Sequence, residues 1–570
     1  MLMLSEVKFW TTAGVASLAI ALAVLDNARA QDVVPPAPDS VAASAVDPPP
    51  IVAQQPAQAS QGTSAPYSPL KTCCDGTLVD WSRYPETIHP MPRLGMFPIP
   101  PTQGPAYFSF WDQVTDQQRP APPKSGYAPL AINAYPFFDA DWRYVESITP
   151  EDRTLVESLK RIHLNDCWML STGGEFWTKY HHEHNSRLTQ VENNYNLTHV
   201  RMYGDLWHQD WLRVYGEYIW ADSAAQDLPP LPIDIDRGDL QSLFVDVKLF
   251  ELNDRPVYVR GGRQELLYGS QRLMTPLAWG NKRHAFQGVK VFRQGEKWDM
   301  DAFWMQYVPP VASEFDTADP NQNIAGTWFT YRPKKGETVD LYYLMYDNRN
   351  TVTQQGIPRS PFQDHTVGTR WAGDKDGWLW DFEGALQFGE QASNSIFAGM
   401  ATSGLGYNWK DVPLKPTVWA YYDYASGDND PTSGSVHTFN QQFPFGHYYL
   451  GWMDLVGRQN IHDVNAHLYL YPAPWMTVWM QYHHFWLAES RDALYNAGGV
   501  AYRRDPTGAA GNNVGDEVDL VLNFHLTRYS DILLSYNRLF GGSFLQQTAA
   551  AGPNQSANAD SLYLIFQQRF

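Results

Sequence analysis

The sequence predicts an all-β fold: one transmembrane, antiparallel β-barrel of the outer-membrane kind, with about 18 strands and a polar lumen. Three observations carry that expectation. A period of two runs through most of the chain, so apolar and polar side chains fall on opposite faces of extended segments. The chain opens with the pattern of an export signal. Nothing downstream reaches the roughly 18 apolar residues that a membrane helix needs, so any membrane span has to be made of strands. A bilayer leaves no backbone group unpaired, which requires the sheet to close on itself.

Lys8, an apolar run from Thr11 to Leu25 and Ala28-Arg29-Ala30 before Gln31 form a basic n-region, an h-region and an A-x-A site. Residues 1–30 therefore read as a signal peptide. A signal anchor is the alternative, disfavoured by the short apolar run and the lack of a stop-transfer pattern. Residues 31–70 are rich in Pro, Ala, Ser and Gln, with Pro48-Pro49-Pro50, and bury too little apolar surface to offset chain entropy. They read as a disordered linker. Residues 71–165 keep the prolines but add Trp81, Tyr84, Phe97, Phe108, Trp111, Phe137 and Phe138, which predicts an irregular periplasmic or plug-like segment packed on the barrel entrance. Inside it, Thr149-Pro150-Glu151-Asp152 has an N-cap, a proline at N1 and an acidic first turn. That predicts a helix to about Arg161, with Leu155, Leu159 and Ile162 along one face.

Residues 166–570 read as the barrel. Val518, Leu520, Leu522 and Phe524 alternate with Glu517, Asp519, Val521 and Asn523. Val339, Leu341, Tyr343 and Met345 alternate with Asp340, Tyr342, Leu344 and Tyr346, and Val200, Met202 and Leu206 with His199, Arg201, Tyr203 and Asp205. About 18 such segments recur, near residues 168, 196, 212, 239, 256, 284, 298, 324, 338, 364, 377, 395, 416, 460, 475, 516, 531 and 561. The last ten residues, SLYLIFQQRF, put Leu562, Leu564 and Phe566 on one face and Tyr563, Gln567 and Arg569 on the other, and end on Phe570.

The net charge of −19 argues against nucleic acid as a partner. Three cysteines are too few for a disulfide scaffold. Adjacent Cys73 and Cys74 rarely bond to each other, which leaves either free to pair with Cys167 in an oxidising periplasm.

From Arg260 to Val291 the chain reads RGGRQELLYGSQRLMTPLAWGNKRHAFQGVKV. The run ending at Leu266, Tyr268-Gly269, Arg272-Leu273, Trp279, Asn281 and Phe286-x-Gly288-Val289 resemble the alginate-export family of outer-membrane porins. So do DYASGDNDP from Asp423, FPFGHYYLGWMD from Phe443 and HHFWLAESRDALYN from His483. The resemblance implies an 18-stranded barrel that passes an exopolysaccharide, an alginate-like polyanion, from periplasm to exterior.

Parity places Lys179, Arg201, Arg213, Lys248, Arg260 and Arg370 on the lumen side as candidate residues of the substrate path. Arginine forks suit carboxylates. Inward acids such as Glu175, Asp246, Asp340 and Asp381 outnumber these bases, so each base also has a partner to hand. Asp423, Asp428 and Asp430 offer oxygen ligands for a structural Ca²⁺; no other cofactor is expected. His182 and His184 share a face and read as a polar rim. Ser490, near His483 and His484, lacks the G-x-S-x-G setting of a nucleophile elbow. The expectation is therefore a non-enzymatic outer-membrane channel, in contact with lipid, exopolysaccharide and periplasmic polysaccharide-secretion proteins. A general or anion-selective porin for small solutes is the alternative, followed by an outer-membrane enzyme or structural barrel.

Overall fold

The computed structural model describes residues 69–73, 75–85, 109–116, 127, 136–431, 433–549 and 557–570. The expected signal peptide, most of the linker, Cys74, Phe97 and Phe108 lie outside the described residues. Eighteen antiparallel strands close into one barrel. They are β1 (Trp168–Ser186), β2 (Val191–His208), β3 (Leu212–Ala224), β4 (Asp236–Glu251), β5 (Pro256–Gln264), β6 (Ala285–Gln294), β7 (Trp298–Val308), β8 (Gln322–Tyr331) and β9 (Glu337–Gln354). The ring continues through β10 (Ile357–Lys375), β11 (Trp378–Gln391), β12 (Asn394–Asn408), β13 (Thr417–Ala425), β14 (Ile461–Ala473), β15 (Met476–Leu487), β16 (Asn513–Thr527), β17 (Ser530–Gly541) and β18 (Ala559–Arg569). β18 pairs back onto β1, with Glu175 opposite Arg569, which seals the sheet. The strand number agrees with the dyad count, and most strands start within about three residues of the expected positions; β2 and β10 begin earlier, at Val191 and Ile357. Among the described residues no helix is long and apolar enough to cross a membrane.

The alternation has the consequence a barrel requires. Met202 on β2, Leu243 on β4, Leu386 on β11 and Leu564 on β18 point outward and are about half exposed, while Arg201, Ser242, Gln387 and Tyr563 beside them are buried inside. Connections at one end, such as 209–211 and 528–529, run from two to eight residues, whereas the other end carries the long loops 265–284, 426–460 and 488–512. Two of those loops turn into the lumen and hold each other by backbone hydrogen bonds. Phe443 N donates to the Leu273 carbonyl at 3.0 Å, and Thr275 N to the Phe443 carbonyl at 3.0 Å. Their side chains, among them Trp279, Phe443, Tyr449 and Trp452, pack with Trp177, Trp328, Trp419 and Trp479 of the wall. Each large side chain so buried contributes on the order of 1.5–3 kcal/mol.

The segment before β1 differs from its expectation in two places. Residues Leu70–Thr72 and Leu78–Asp80 pair as a small hairpin, where no strand was expected. The single helix through Arg161 is instead two short pieces. Thr149 precedes a 3₁₀ turn, Pro150–Asp152, and Arg153 then leaves helical geometry with ψ 137°. Thr154 starts again as the N-cap of Leu155–Ser158, with Glu157 completing a capping box. A second Thr-x-x-acid pattern five residues after the first outcompetes continuation of the first turn. Cys73 bonds Cys167, which fixes the choice the sequence left open and ties the hairpin to the foot of β1.

Candidate transport path

The lumen wall is built by register. Arg213 on β3, Asp246 on β4, Arg260 on β5 and Lys290 on β6 are directly opposite one another along one row. Asp246 binds Arg260 in a two-pronged contact at 2.7 and 2.8 Å and lies 3.7 Å from Arg213. Arg213 forks onto Asp205 at 2.7 and 2.8 Å, and Lys290 meets Asp301 at 2.8 Å. Arg201 on β2 sits between Glu217 at 2.7 Å, Glu265 at 3.3 Å and Glu175 at 3.4 Å. Charge-assisted contacts of this kind are about twice as strong as neutral ones, so these guanidiniums are held in fixed orientations.

The segment before β1 covers this row at the short-turn end. The Phe137 ring lies 4.3 Å from the Arg201 guanidinium and Phe138 4.6 Å from that of Arg260. Arg213 Nη2 donates to the Phe138 carbonyl at 2.8 Å. Tyr127, Trp142 and Val145 continue the contact onto Tyr203, Tyr215 and Phe244 of the wall. Burial raises the Asp139 carboxyl to about 6, against the pull of Arg260, Lys290 and Arg213. Burial also pushes the Lys160 ammonium down to about 7; its Nζ faces the carbonyls of Thr172 and Phe570 and the rings of Tyr127, Trp142 and Tyr203. Burial alone would raise Glu146, but the His163 hydrogen bond and Arg161 outweigh it and hold that carboxyl to about 2.

Arg370 stands apart from the other three arginines. Asp340, Arg370, Glu383, Thr402, Asp423 and Asp463 form a second row across β9 to β14, and this one is acidic. The inward loops neutralise it. Arg272, from 265–284, binds Asp381 at 2.7 Å and Glu383 at 2.9 Å, and Arg458, from 426–460, binds Asp423. Neither residue lies in a dyad, so parity could not find them. Lys179 is sandwiched 4.2 Å from the Trp177 ring and 4.0 Å from that of Trp279. Lys248 departs from its expected place on the path: a register shift after it leaves the side chain at the short-turn rim, half-buried and bound to Asp210 at 2.6 Å and Glu251 at 2.7 Å.

The three aspartates considered for Ca²⁺ are not assembled as ligands. Asp423 accepts from Thr402 and Arg458, while Asp428 accepts from the backbone N–H groups of Asp430 and His437. Among the described residues one group of three carboxylates lies within ligand reach, Asp236, Asp239 and Asp316, and the Lys282 ammonium already contacts all three. His181 is buried between Tyr195 and Tyr563, whereas His182 bonds Asn194 at the rim. His483 is engaged by Asp463 and Gln481, not by a nucleophile.

A family described as Alginate export matches residues 168–558. Similar solved structures are those of Pseudomonas aeruginosa OccK8 (OprE), OpdQ and OccK3 (OpdO). OccK8 (OprE) is 9% identical with a TM-score of 0.46, covering 70% of this chain and 98% of its own. OpdQ is 10% identical at 0.46, covering 70% and 97%, and OccK3 (OpdO) 10% at 0.45, covering 70% and 95%. No curated protein matches the chain.

Proposed function

Because this chain belongs to the alginate-export family, we propose that it is an outer-membrane channel passing an acidic exopolysaccharide from the periplasm to the exterior, without chemistry on the cargo. The observation that carries the reading is the row of Arg213, Arg260 and Lys290 with Arg201 beside it, covered by Phe137 and Phe138. Barrels of this kind keep short turns on the periplasmic side and long loops outside. The covered row then lies on the periplasmic side of the path.

Withdrawal of the two phenylalanines would uncover guanidiniums whose forks match sugar carboxylates. Each carboxylate of the cargo would replace an aspartate or glutamate already bound there. One charge-assisted contact is exchanged for another, which avoids both a deep trap and a high barrier, as conduction requires. The reading needs no cofactor. Periplasmic secretion proteins would deliver the polymer to the short-turn mouth, and lipid would cover the outward apolar band.

The experiment is polymer localisation in cells that lack the chain. Polymer retained in the periplasm and released on re-expression is the expected result; unchanged secretion refutes it. One observation favours a second reading, a porin for small solutes: every arginine of the row is already neutralised by an acid. Liposome swelling with small sugars, alongside unaltered polymer release, would select that alternative.

A further inference from the structure

Between β9 to β12 and the loops 426–460 and 488–512 lies a cavity of about 210 Å³ at the long-loop end. Its lining is unlike the charged rows below. Asn348, Gln354, Gln387, Gln391, Asn440 and Gln442 face it, joined by Gln441 and Gln459. One arginine and one aspartate complete the charge inventory of the lining, and being of opposite sign they leave it without net charge. Arg359 Nη1 donates to the Tyr495 hydroxyl at 3.2 Å with its guanidinium 4.7 Å from that ring. Asp364 accepts from Asn440 at 2.7 Å and from Gln442 at 3.3 Å. Gln459 is 2% exposed, yet its Nε2 has no partner, and the Gln442 Oε1 is likewise unmatched. A buried amide left unpaired costs about 1–3 kcal/mol, so a built-in lack of partners at both a donor and an acceptor calls for an occupant.

We infer that this cavity binds one neutral, hydroxyl-rich sugar unit of the exported polymer near its exit. A side-chain amide offers donors and an acceptor together, as a sugar hydroxyl does, so amide and hydroxyl groups satisfy each other without net charge. A carboxylate accepts only; it would leave the Gln442 Oε1 acceptor unmatched and face the Asp364 carboxylate, whereas a hydroxyl serves both vacant amide ends. The volume exceeds the roughly 150 Å³ of a cavity that takes up a benzene ring, so there is room for a six-membered sugar ring. Tyr346 and Phe362 supply the apolar surface that the ring's C–H face requires. The inference rests on the channel reading and adds to it: the cargo carries neutral residues as well as acidic ones.

The test is an equilibrium titration of the full chain, folded in an amine-oxide detergent that has no sugar headgroup. Maltohexaose is the neutral probe and an oligouronate of equal length the acidic one. Saturable binding of maltohexaose, weakened at least tenfold by Gln459→Leu while any oligouronate binding, which the arginine row also offers, stays unchanged in that variant, is the expected result. If Gln459→Leu does not fold, Gln459→Glu keeps size and polarity and should weaken maltohexaose binding through its acceptor-only end. No binding of maltohexaose, oligouronate binding weakened by Gln459→Leu as much as maltohexaose binding, or maltohexaose binding unchanged by either variant overturns the proposal. Polymer retention in cells measures transport separately, so either reading can fail alone.

Discussion

The bond between Cys73 and Cys167 closes a stretch of 94 residues that contains Phe137, Phe138 and the rest of the entrance segment. If that stretch were free whenever it is undocked, cross-linking its ends would remove about 4.7 kcal/mol of chain entropy from the undocked state. Since every 1.4 kcal/mol is tenfold, the bond biases docking by up to about three orders of magnitude. Cys167→Ser is the clean perturbation, because Cys74 stands beside Cys73 and could replace it. Trypsin added from the short-turn side reads the undocked population when closing is faster than cleavage. The variant should be cut at Arg143, Arg153 or Arg161 at least tenfold faster and should show more frequent channel openings. Its heat-dependent mobility in SDS should not change, since the barrel itself contains neither cysteine. Cleavage within twofold of the parent, or loss of the folded band, would refute the idea that the bond serves docking rather than the barrel.

Three further outcomes follow from the same geometry. Reconstituted channels should prefer anions, and Arg201→Glu with Arg260→Glu should invert the preference; cation preference in the parent would count against a polyanion path. Arg201→Met takes from buried Glu217 its ion-pair partner and should cost about 3–5 kcal/mol in denaturant titration, whereas Arg237→Ala, which breaks a half-exposed pair with Asp222, should cost under about 1 kcal/mol. Lys160 has its ordinary value when undocked and about 7 when buried, so docking releases a proton above that value. Docking should therefore tighten as pH rises from about 7 towards 10, by up to tenfold per unit, with open probability falling accordingly. Lys160→Met should abolish the trend, and a trend that persists in it would refute the assignment.

Parity was enough to place Glu517 and Asp519 inside and Val518 and Leu520 outside, because a one-residue error would turn every charge to the lipid. It could not reveal which inward residues meet. Arg213 and Arg260 share Asp246 only through the register of three successive strands, and Arg370 joins another row for the same reason. Arg272 and Arg458 sit in loops without a period, and the motif runs that contain or flank them gave no sign of ion pairing. The short helix failed differently: Thr149 and Thr154 both offer caps, and local sequence alone does not say that the chain uses each in turn.

The seam between β1 and β18 joins residues nearly the whole barrel apart, so its closure is entropically the most demanding pairing and forms late. The entrance segment is anchored on that seam. Tyr127 donates to the Phe570 carbonyl at 2.6 Å, Lys160 Nζ to the same oxygen at 3.1 Å, and Phe570 exchanges backbone hydrogen bonds with Gly174 of β1. A Cβ on Gly173 would overlap both the Lys160 ammonium and the Phe570 oxygen. An unsealed sheet thus lacks the oxygen on which Tyr127 and Lys160 are moored. The part of the chain synthesised before the barrel makes its last contacts only after the barrel closes, and an assembly arrested with its last strand adrift would hold that part less firmly.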